Sequence, residues 1–350
     1  MTLPTWTITF GANTVDDVQN VNINIGRRKI TDPFRSGSIT VSGRRPDLLP
    51  SIELGDTFSA TLTFGGLDAV YTFRVADLKI DYGIVSAMDT WTLEGEDALA
   101  YAGRATVSGT VASGSNTVST AIVLAGYANV TVTSNPFYPG LSSVKAFSLD
   151  DANVLELLNI LCNTEQGLLG ASAGEIQFNG RNWQAGISFY DASDDGTGTN
   201  PTVYDNLQFT TLADNYATGV NVTIIGGNTL TSGTGDYTYA FNTYSQTDAD
   251  ATQVAAFVAS QLTNKTAIIQ QFSVVLNRQT NNTWINLNIP NGVNLKFRGS
   301  TYKSFVIGQT LSGTPDSTRI TYHVVSAAFY QYLILNDATF GKLDSNRLGF

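Results

Sequence analysis

The sequence predicts a mainly β (α+β) fold in which two antiparallel β units flank a small α+β region, and three observations point to it. Apolar and polar residues alternate over long stretches toward both ends of the chain, as in Trp6, Ile8 and Phe10 or Val220, Val222 and Ile224. A period of two is that of a strand with one wet and one dry face. Near the middle the period changes: Val154, Leu157, Leu158, Leu161 and Cys162 fall at i, i+3, i+4, i+7 and i+8, one apolar stripe on a helix. Glycines with Asp, Asn and Pro punctuate the alternating runs at the short intervals that antiparallel connections need. The units so delimited are 1–105, 106–202 and 203–350.

In the first unit, Trp6, Ile8 and Phe10 alternate with threonines, Val21, Ile23 and Ile25 with asparagines, and Phe58, Ala60, Leu62 and Phe64 follow Gly55-Asp56. Gly65-Gly66 and Asp81-Tyr82-Gly83 supply turns. Trp91 and Leu93 form a last strand before the short helical Glu96 to Arg104. Such an order of short strands is that of a sandwich or barrel. The middle unit has a short helix over Val118 to Leu124, a strand at Val130 and Val132, and Pro136 and Pro139 as terminators. Its central helix has a capping start at Ser148 and Asp151 and stops at Gly167. Leu168-Leu169, a turn through Ala173-Gly174, and Ile176 and Phe178 then make a tight hairpin.

Asp191 to Pro201 reads as a loop. In the last unit a strand at Val220 to Ile224 precedes a flexible excursion over Thr229 to Gly235, and Asp248 to Leu262 carries a second helical stripe. Strands then resume at Ile268 to Leu276, Ile285 to Ile289, Val293 to Phe297 and onward to Tyr332 and Ile334.

At 350 residues the chain can bury about three quarters of its unfolded surface, enough for two or three cores without staples. One cysteine excludes an intrachain disulfide framework and a cysteine-rich zinc site, and its place on the helix stripe makes Cys162 a buried, inert thiol. No apolar run reaches the roughly 20 residues of a membrane span, and the N-terminus lacks a signal-peptide plan, which predicts a soluble protein made in the cytoplasm. The balance of 19 basic to 29 acidic residues, net −10, argues against a duplex-binding groove. It is compatible with a conduit through which DNA slides, since each phosphate contact would add affinity.

The two β units align with one another. Tyr71 to Ile80 matches Tyr302 to Leu311, pairing Val75 with Val306, and the same register continued without a gap sets Trp91 against Tyr322 and Leu93 against Val324. Ile52 to Asp56 matches Ile289 to Val293. The expectation is an internal duplication.

The run VLELLNILCNTEQGLLGASAGEIQFNGR, Val154 to Arg181, resembles the middle of baseplate hub and minor tail proteins of long-tailed bacteriophages. NINIGRRKITDPFRSGSITVSGRRPDLLPSIELGDTF, Asn22 to Phe58, with FRVADLKI and WTLEGEDALAYAGR, resembles their N-terminal tube-type barrel, and Tyr322 to Phe350 resembles their closing stretch. The resemblance implies two tube-like antiparallel β-barrel domains per chain, 1–105 and 203–350, in a homotrimer similar to the contractile-tail hub. That trimer would continue the tail tube and adapt sixfold to threefold symmetry around passing genomic DNA. The implied partners are the distal tail ring protein, the tape measure protein and other tail-tip or fibre proteins, with the virion tail tip as location. Chain termination at Phe350 implies no appended fibre-binding or peptidoglycan-cleaving domain.

Arg27, Arg28, Lys29, Arg35, Arg44 and Arg45 face only Asp16, Asp17, Asp32 and Asp47 in the first fifty positions. They are the candidate subunit contacts, expected away from the lumen, where complementary charge would set docking register. No catalytic motif stands out: His323 alternates with Tyr322 and Val324 in a strand and is expected on a satisfied sheet face. Asp97, Glu156 and Glu165 are expected as solvated helix-surface acids. Asp191, Ser193, Asp195 and Gly196 occupy calcium-loop positions, but Thr202 stands where the bidentate acid belongs, and an acidic turn is expected instead of a metal site. No cofactor is expected. Two other readings remain: a hexameric distal tail ring protein, and a carbohydrate- or receptor-binding β-sandwich whose stacking faces would be Trp183, Trp284 and the Tyr237–Tyr239 loop.

Overall fold

A computed structural model describes residues 3–29, 31–134, 140–184, 187–210, 216–262 and 268–327. Pro136, Pro139, the strand expected at Tyr332 and Ile334, and most of the C-terminal stretch lie outside them. The alternating runs of the first unit form β1 (Thr5–Phe10), β2 (Asn13–Val15), β3 (Val18–Gly26), β4 (Ser38–Arg44), β5 (Thr57–Phe64), β6 (Leu67–Asp81) and β7 (Thr90–Glu96). Their apolar positions point inward, with Ile8, Val21, Ile23, Val41, Leu62 and Leu93 fully buried. The middle region comprises α1 (Ala98–Arg104), β8 (Thr106–Val111), α2 (Thr117–Gly126), β9 (Val132–Thr133), β10 (Phe147–Asn153), α3 (Val154–Glu165), β11 (Leu168–Ser172) and β12 (Glu175–Asn179).

Beyond it the chain forms β13 (Phe189–Ser193), β14 (Thr202–Val203) and β15 (Asn206–Thr210). A layer of β16 (Gly219–Ile224), β17 (Thr229–Gly233), β18 (Thr238–Thr243) and α4 (Asp248–Leu262) follows. The last strands are β19 (Ile268–Val275), β20 (Gly292–Phe297), β21 (Ser300–Thr314) and β22 (Ser317–Ser326).

Three expectations change. Thr229 to Gly233 is a strand paired to β16, with side-chain bonds Thr223–Thr229 and Thr231–Asn221 across the ladder. Asp191 to Ser193 belongs to β13 and not to a loop. Ile285 to Ile289 forms no strand; a 3₁₀ turn occupies Thr283–Asn286 and seats Trp284 in the core.

The central helix buries the stripe read from its spacing, Val154, Leu157, Leu158, Leu161 and Cys162. Its caps differ from the expected ones. Asn153, not Ser148 or Asp151, accepts from Glu156 N–H at 3.1 Å, because β10 runs straight into the helix and Asp151 sits in its bulge at φ 47°. At the other end Gln166 takes the left-handed conformation, φ 54°, and Gly167 N–H returns to Cys162 O at 3.1 Å. Gly167 is required for another reason: a Cβ there would collide with Asn179 O of the hairpin.

The largest change concerns the two β units. Among the described residues, strands of both belong to one 14-stranded sheet, with no closed ring of strand pairs within either unit. In the first unit the pairs are β1–β2, β1–β5, β5–β6, β6–β7, β7–β4 and β4–β3; in the second they are β13–β14, β13–β20, β20–β21, β21–β22, β22–β19 and β19–β15. These are the same pairings in the same chain order, with the layer of β16 to α4 inserted between the counterparts of β3 and β4. One bulge coincides, that of β6 between Val75 and Asp77 with that of β21 between Val306 and Gly308, whereas the β3–β4 and β15–β19 ladders have theirs on different strands. The duplication therefore extends to the order of strand neighbours, and its main divergence is that β1 is antiparallel to both β2 and β5 whereas β13 is parallel to both β14 and β20.

The gapless register needs correction. The ladders set Leu78 opposite Leu93 and Gln309 opposite Tyr322, so Leu93 corresponds to Tyr322 and Trp91 to Ile320, a slip of two residues. Phe58 opposite Phe73 and Val293 opposite Ser304 show a like slip upstream. Slipping by two preserves which face is buried, so sequence alternation alone cannot detect it.

Candidate functional site

The two units meet at a seam in which β21 pairs antiparallel with β3, from Gly308 opposite Gly26 to Gly313 opposite Val21. One face of the seam is dry: Val21, Ile23 and Leu311 are wholly buried, each worth about 1.5–3 kcal/mol. The other carries polar side chains, with Thr310 Oγ1 donating to Asn24 Oδ1 at 3.0 Å and lying 3.3 Å from His323 Nε2. Backbones approach closely at Gly26–Gly308. Gly26 has φ +76°, and a Cβ at either position would strike the facing backbone at Ile307 O or Arg27 O.

The six basic residues do not form one patch. Arg27, Arg28 and Lys29 follow the C-terminal end of β3 and Arg35 precedes β4, whereas Arg44 and Arg45 lie at the far end of β4. Arg27 is built into the seam, its N–H bonded to Ile307 O at 2.9 Å and its guanidinium 4.3 Å over the Phe34 ring. Arg28, Arg35, Arg44 and Arg45 reach solvent, and Arg45 lies 3.8 Å from Asp47. Exposed large apolar side chains gather elsewhere, at Ile80, Tyr82, Ile84, Val85 and Met88 on and after the end of β6, with Ile84 99% exposed. In sequence that stretch reads only as a turn; five apolar side chains in so short a connection are the signal of more.

The middle region is held by Glu165, which lies wholly buried and not on a solvated surface as expected. Its carboxylate accepts from Thr117 Oγ1 at 2.8 Å, Leu141 N at 3.0 Å, Ser142 N at 2.9 Å and Arg181 N at 3.2 Å, with Arg181 Nε at 3.5 Å. Asn159 on the same helix clasps the β3–β4 connection, accepting from Phe34 N at 2.8 Å and donating to Phe34 O at 3.0 Å. Helix α3 thus couples the middle region to the seam.

Several expected site residues are assigned by their surroundings. Trp183 and Trp284 are 1% and 2% exposed and present no stacking face; Tyr237 is exposed, while Tyr239 donates to Thr31 O at 3.4 Å. Asp191 holds Lys296 Nζ at 2.7 Å and Asn294 Nδ2 at 3.0 Å. Asp195 accepts from Ser193, from the Thr197 hydroxyl and from the Thr197 amide, and these bonds hold its carboxyl down at about 2. An ammonium and local donors occupy the oxygens a calcium ion would need. Burial pushes the Cys162 thiol up to about 12, which keeps it protonated and unreactive.

Two buried titratable groups flank the seam. Burial is the dominant influence on Asp97 and pushes its carboxyl up to about 7, against amide bonds from Gly37 at 2.7 Å and Leu99 at 3.0 Å. It caps α1 and is buried, contrary to the surface role expected. Burial, with the nearby Arg28 charge, lowers His323 to about 4. The folded state binds a proton on Asp97 between about pH 4 and 7, where the unfolded chain does not, so that contribution to stability falls as pH rises through this window. His323 acts oppositely: the unfolded chain binds its proton below about 6.5, so stability falls as pH drops toward 4. Asp97→Asn retains a capping acceptor and removes one of the two slopes. Urea melts of this variant are expected to lose stability steadily from pH 6.5 to 4.5, by on the order of 2 kcal/mol, while the parent stays nearly flat.

No family model matches the chain, and no curated protein matches it. Solved structures do share its fold. The 43 kDa tail protein of prophage MuSo2 from Shewanella oneidensis is similar at TM-score 0.64 and 14% identity, over 93% of this chain and 99% of that one. A tail protein from Neisseria meningitidis MC58 is similar at TM-score 0.67 and 12% identity, over 94% and 98%. A component of the E. coli type VI secretion system, itself described as similar to T4 bacteriophage tail proteins gp27 and gp5, matches at TM-score 0.55 and 11% identity, over 92% and 76%. At these identities the shared property is the fold, which this chain has in common with these tail proteins.

Proposed function

We propose that this chain is a structural protein of a phage virion, a baseplate hub at the tail tip that continues the tail tube around the DNA conduit. One observation carries the reading: two seven-strand groups with the same order of strand neighbours are fused side by side in one sheet. A tube with sixfold symmetry can end on a threefold tip when each chain offers two equivalent docking units. Three copies then present six tube-like barrel units, about 1–105 and 203–350, and closure comes from assembly, since among the described residues neither unit closes by itself. A hexameric ring of this chain would present twelve units, which favours the hub over the distal ring protein. The adhesin reading loses Trp183 and Trp284, both buried.

The distal tail ring, the tape measure protein and other tip or fibre proteins would be its neighbours, docked through solvent-facing residues such as Arg28, Arg35, Arg44 and Arg45. Arg27 belongs to the fold first, so a charge reversal there would confound folding with assembly. No catalytic step is assigned. Native mass measurement of the purified chain tests the reading, with three copies expected. Six copies would return the ring-protein reading, and a monomer at every concentration would remove both.

A further inference from the structure

The seam inside the chain has a vacant counterpart at each end of the sheet. Since Val306 and Gly308 on β21 correspond to Val75 and Asp77 on β6, Leu311 and Gly313 correspond to Ile80 and Tyr82. On the other side, the cross-strand row Leu93–Val41–Val21 corresponds to Tyr322–Phe272–Leu207, so Leu207 and Phe209 on β15 stand where Val21 and Ile23 stand on β3. Within the chain, β21 and β3 bury these positions against each other. Their counterparts are uncovered: among the described residues β6 past Val75 has β7 on one side and no strand on the other, and β15 pairs only with β19. Leu311 is 0% exposed whereas Ile80 is 36% and Tyr82 79% exposed; Val21 and Ile23 are 0% exposed whereas Leu207 and Phe209 are half-buried.

We propose that the open edge of β6 pairs with the open edge of β15 from a second copy of this chain, setting Ile80 opposite Phe209 and Tyr82 opposite Leu207 in the register of Leu311–Ile23 and Gly313–Val21. The occupant is a second copy because each edge carries apolar residues at the positions its buried counterpart uses, and because the seam shows this fold making that junction. Open edges invite pairing unless they are blocked. The contact is head-to-tail, β6 of one copy to β15 of the next, and such contacts propagate until rotation closes a ring. Each chain then contributes the run β15-β19-β22-β21-β3-β4-β7-β6 to one continuous sheet. This rests on the hub reading and adds the residues that join its subunits.

Disulfide trapping tests it in the full chain, where the native Cys162 is buried. The Ile80→Cys/Phe209→Cys variant, assembled and mildly oxidised, is expected to give covalent multimers on non-reducing gels. An equimolar mixture of the two single variants is expected to give dimers and nothing larger. Val70→Cys/Phe209→Cys is the control, because Val70 is exposed but lies on the part of β6 already paired with β5. Ile80→Asp is expected to shift the native mass to monomer with an unchanged far-ultraviolet circular dichroism spectrum. An assembled particle with no link between the two introduced thiols, or one linked no better than the control, overturns this interface and leaves the hub reading standing. A monomeric parent chain removes both.

Discussion

Replacing Glu165 by alanine is expected to destabilise the protein by about 3–5 kcal/mol, the usual consequence of removing one partner from a buried charged pair. The carboxylate has no exposed surface and ties four donors from separate segments: the start of α2, the stretch before β10, and the turn after β12. Deleting it leaves the buried Thr117 hydroxyl and three part-buried amides without this acceptor, at up to about 1–3 kcal/mol each, and leaves Arg181 beside a hole. Glu165→Gln keeps the shape and one acceptor oxygen and should fall between the two. Urea denaturation followed by tryptophan fluorescence reads the difference directly, since Trp183 lies two residues from Arg181 in the same 3₁₀ helix. Equal stability of parent and alanine variant would show that water replaces the carboxylate in this site.

Gly26→Val is expected to have an effect of similar size at the seam. The position combines φ +76° with a Cβ site already filled by Ile307 O and by the Gly308 backbone, so the variant combines backbone strain of about 1–3 kcal/mol with overpacking of about 1–3 kcal/mol. Gly11 supplies the comparison: its φ is +57° but nothing lies within 4 Å of its Cβ site. Gly11→Val should therefore show the conformational component alone. If both variants lost the same stability by thermal melting, close approach of the two strands would not be what Gly26 provides.

The sequence made the elements legible more readily than their partners. The stripe from Val154 to Cys162 could be read because a period of 3.6 is set locally, and the hairpin after it because Ala173-Gly174 is a local turn. Caps were misplaced because Ser148, Asp151 and Asn153 are chemically interchangeable at that position, and the tertiary course of β10 chooses among them. The inserted layer from Gly219 to Leu262 reads like its surroundings because strands of any sheet with one dry face alternate alike, although it has its own small core around Val220, Val222 and Val254. Pairing of β3 with β21 joins residues almost three hundred positions apart, and no local pattern encodes such a choice. The basic cluster was visible as composition but not as geometry, since β4 carries Arg44 and Arg45 to the end opposite Arg27. Glu165 was hidden for a like reason: only its tertiary neighbours distinguish a buried acid from a surface one.

Joining two copies of a unit in one polypeptide separates the fates of their loops. The link from β3 to β4 is a short connection, whereas its counterpart from β15 to β19 carries three strands and a helix. The link from β6 to β7 spans Tyr82 to Asp89, whereas that from β21 to β22 is the two-residue turn Pro315-Asp316. In an assembly of identical single units, any lengthened loop would be multiplied at every position and would have to be tolerated at all of them. Here, loop by loop, one copy can stay short while the other is lengthened, so the order of strand neighbours is kept while the rim becomes free to diversify.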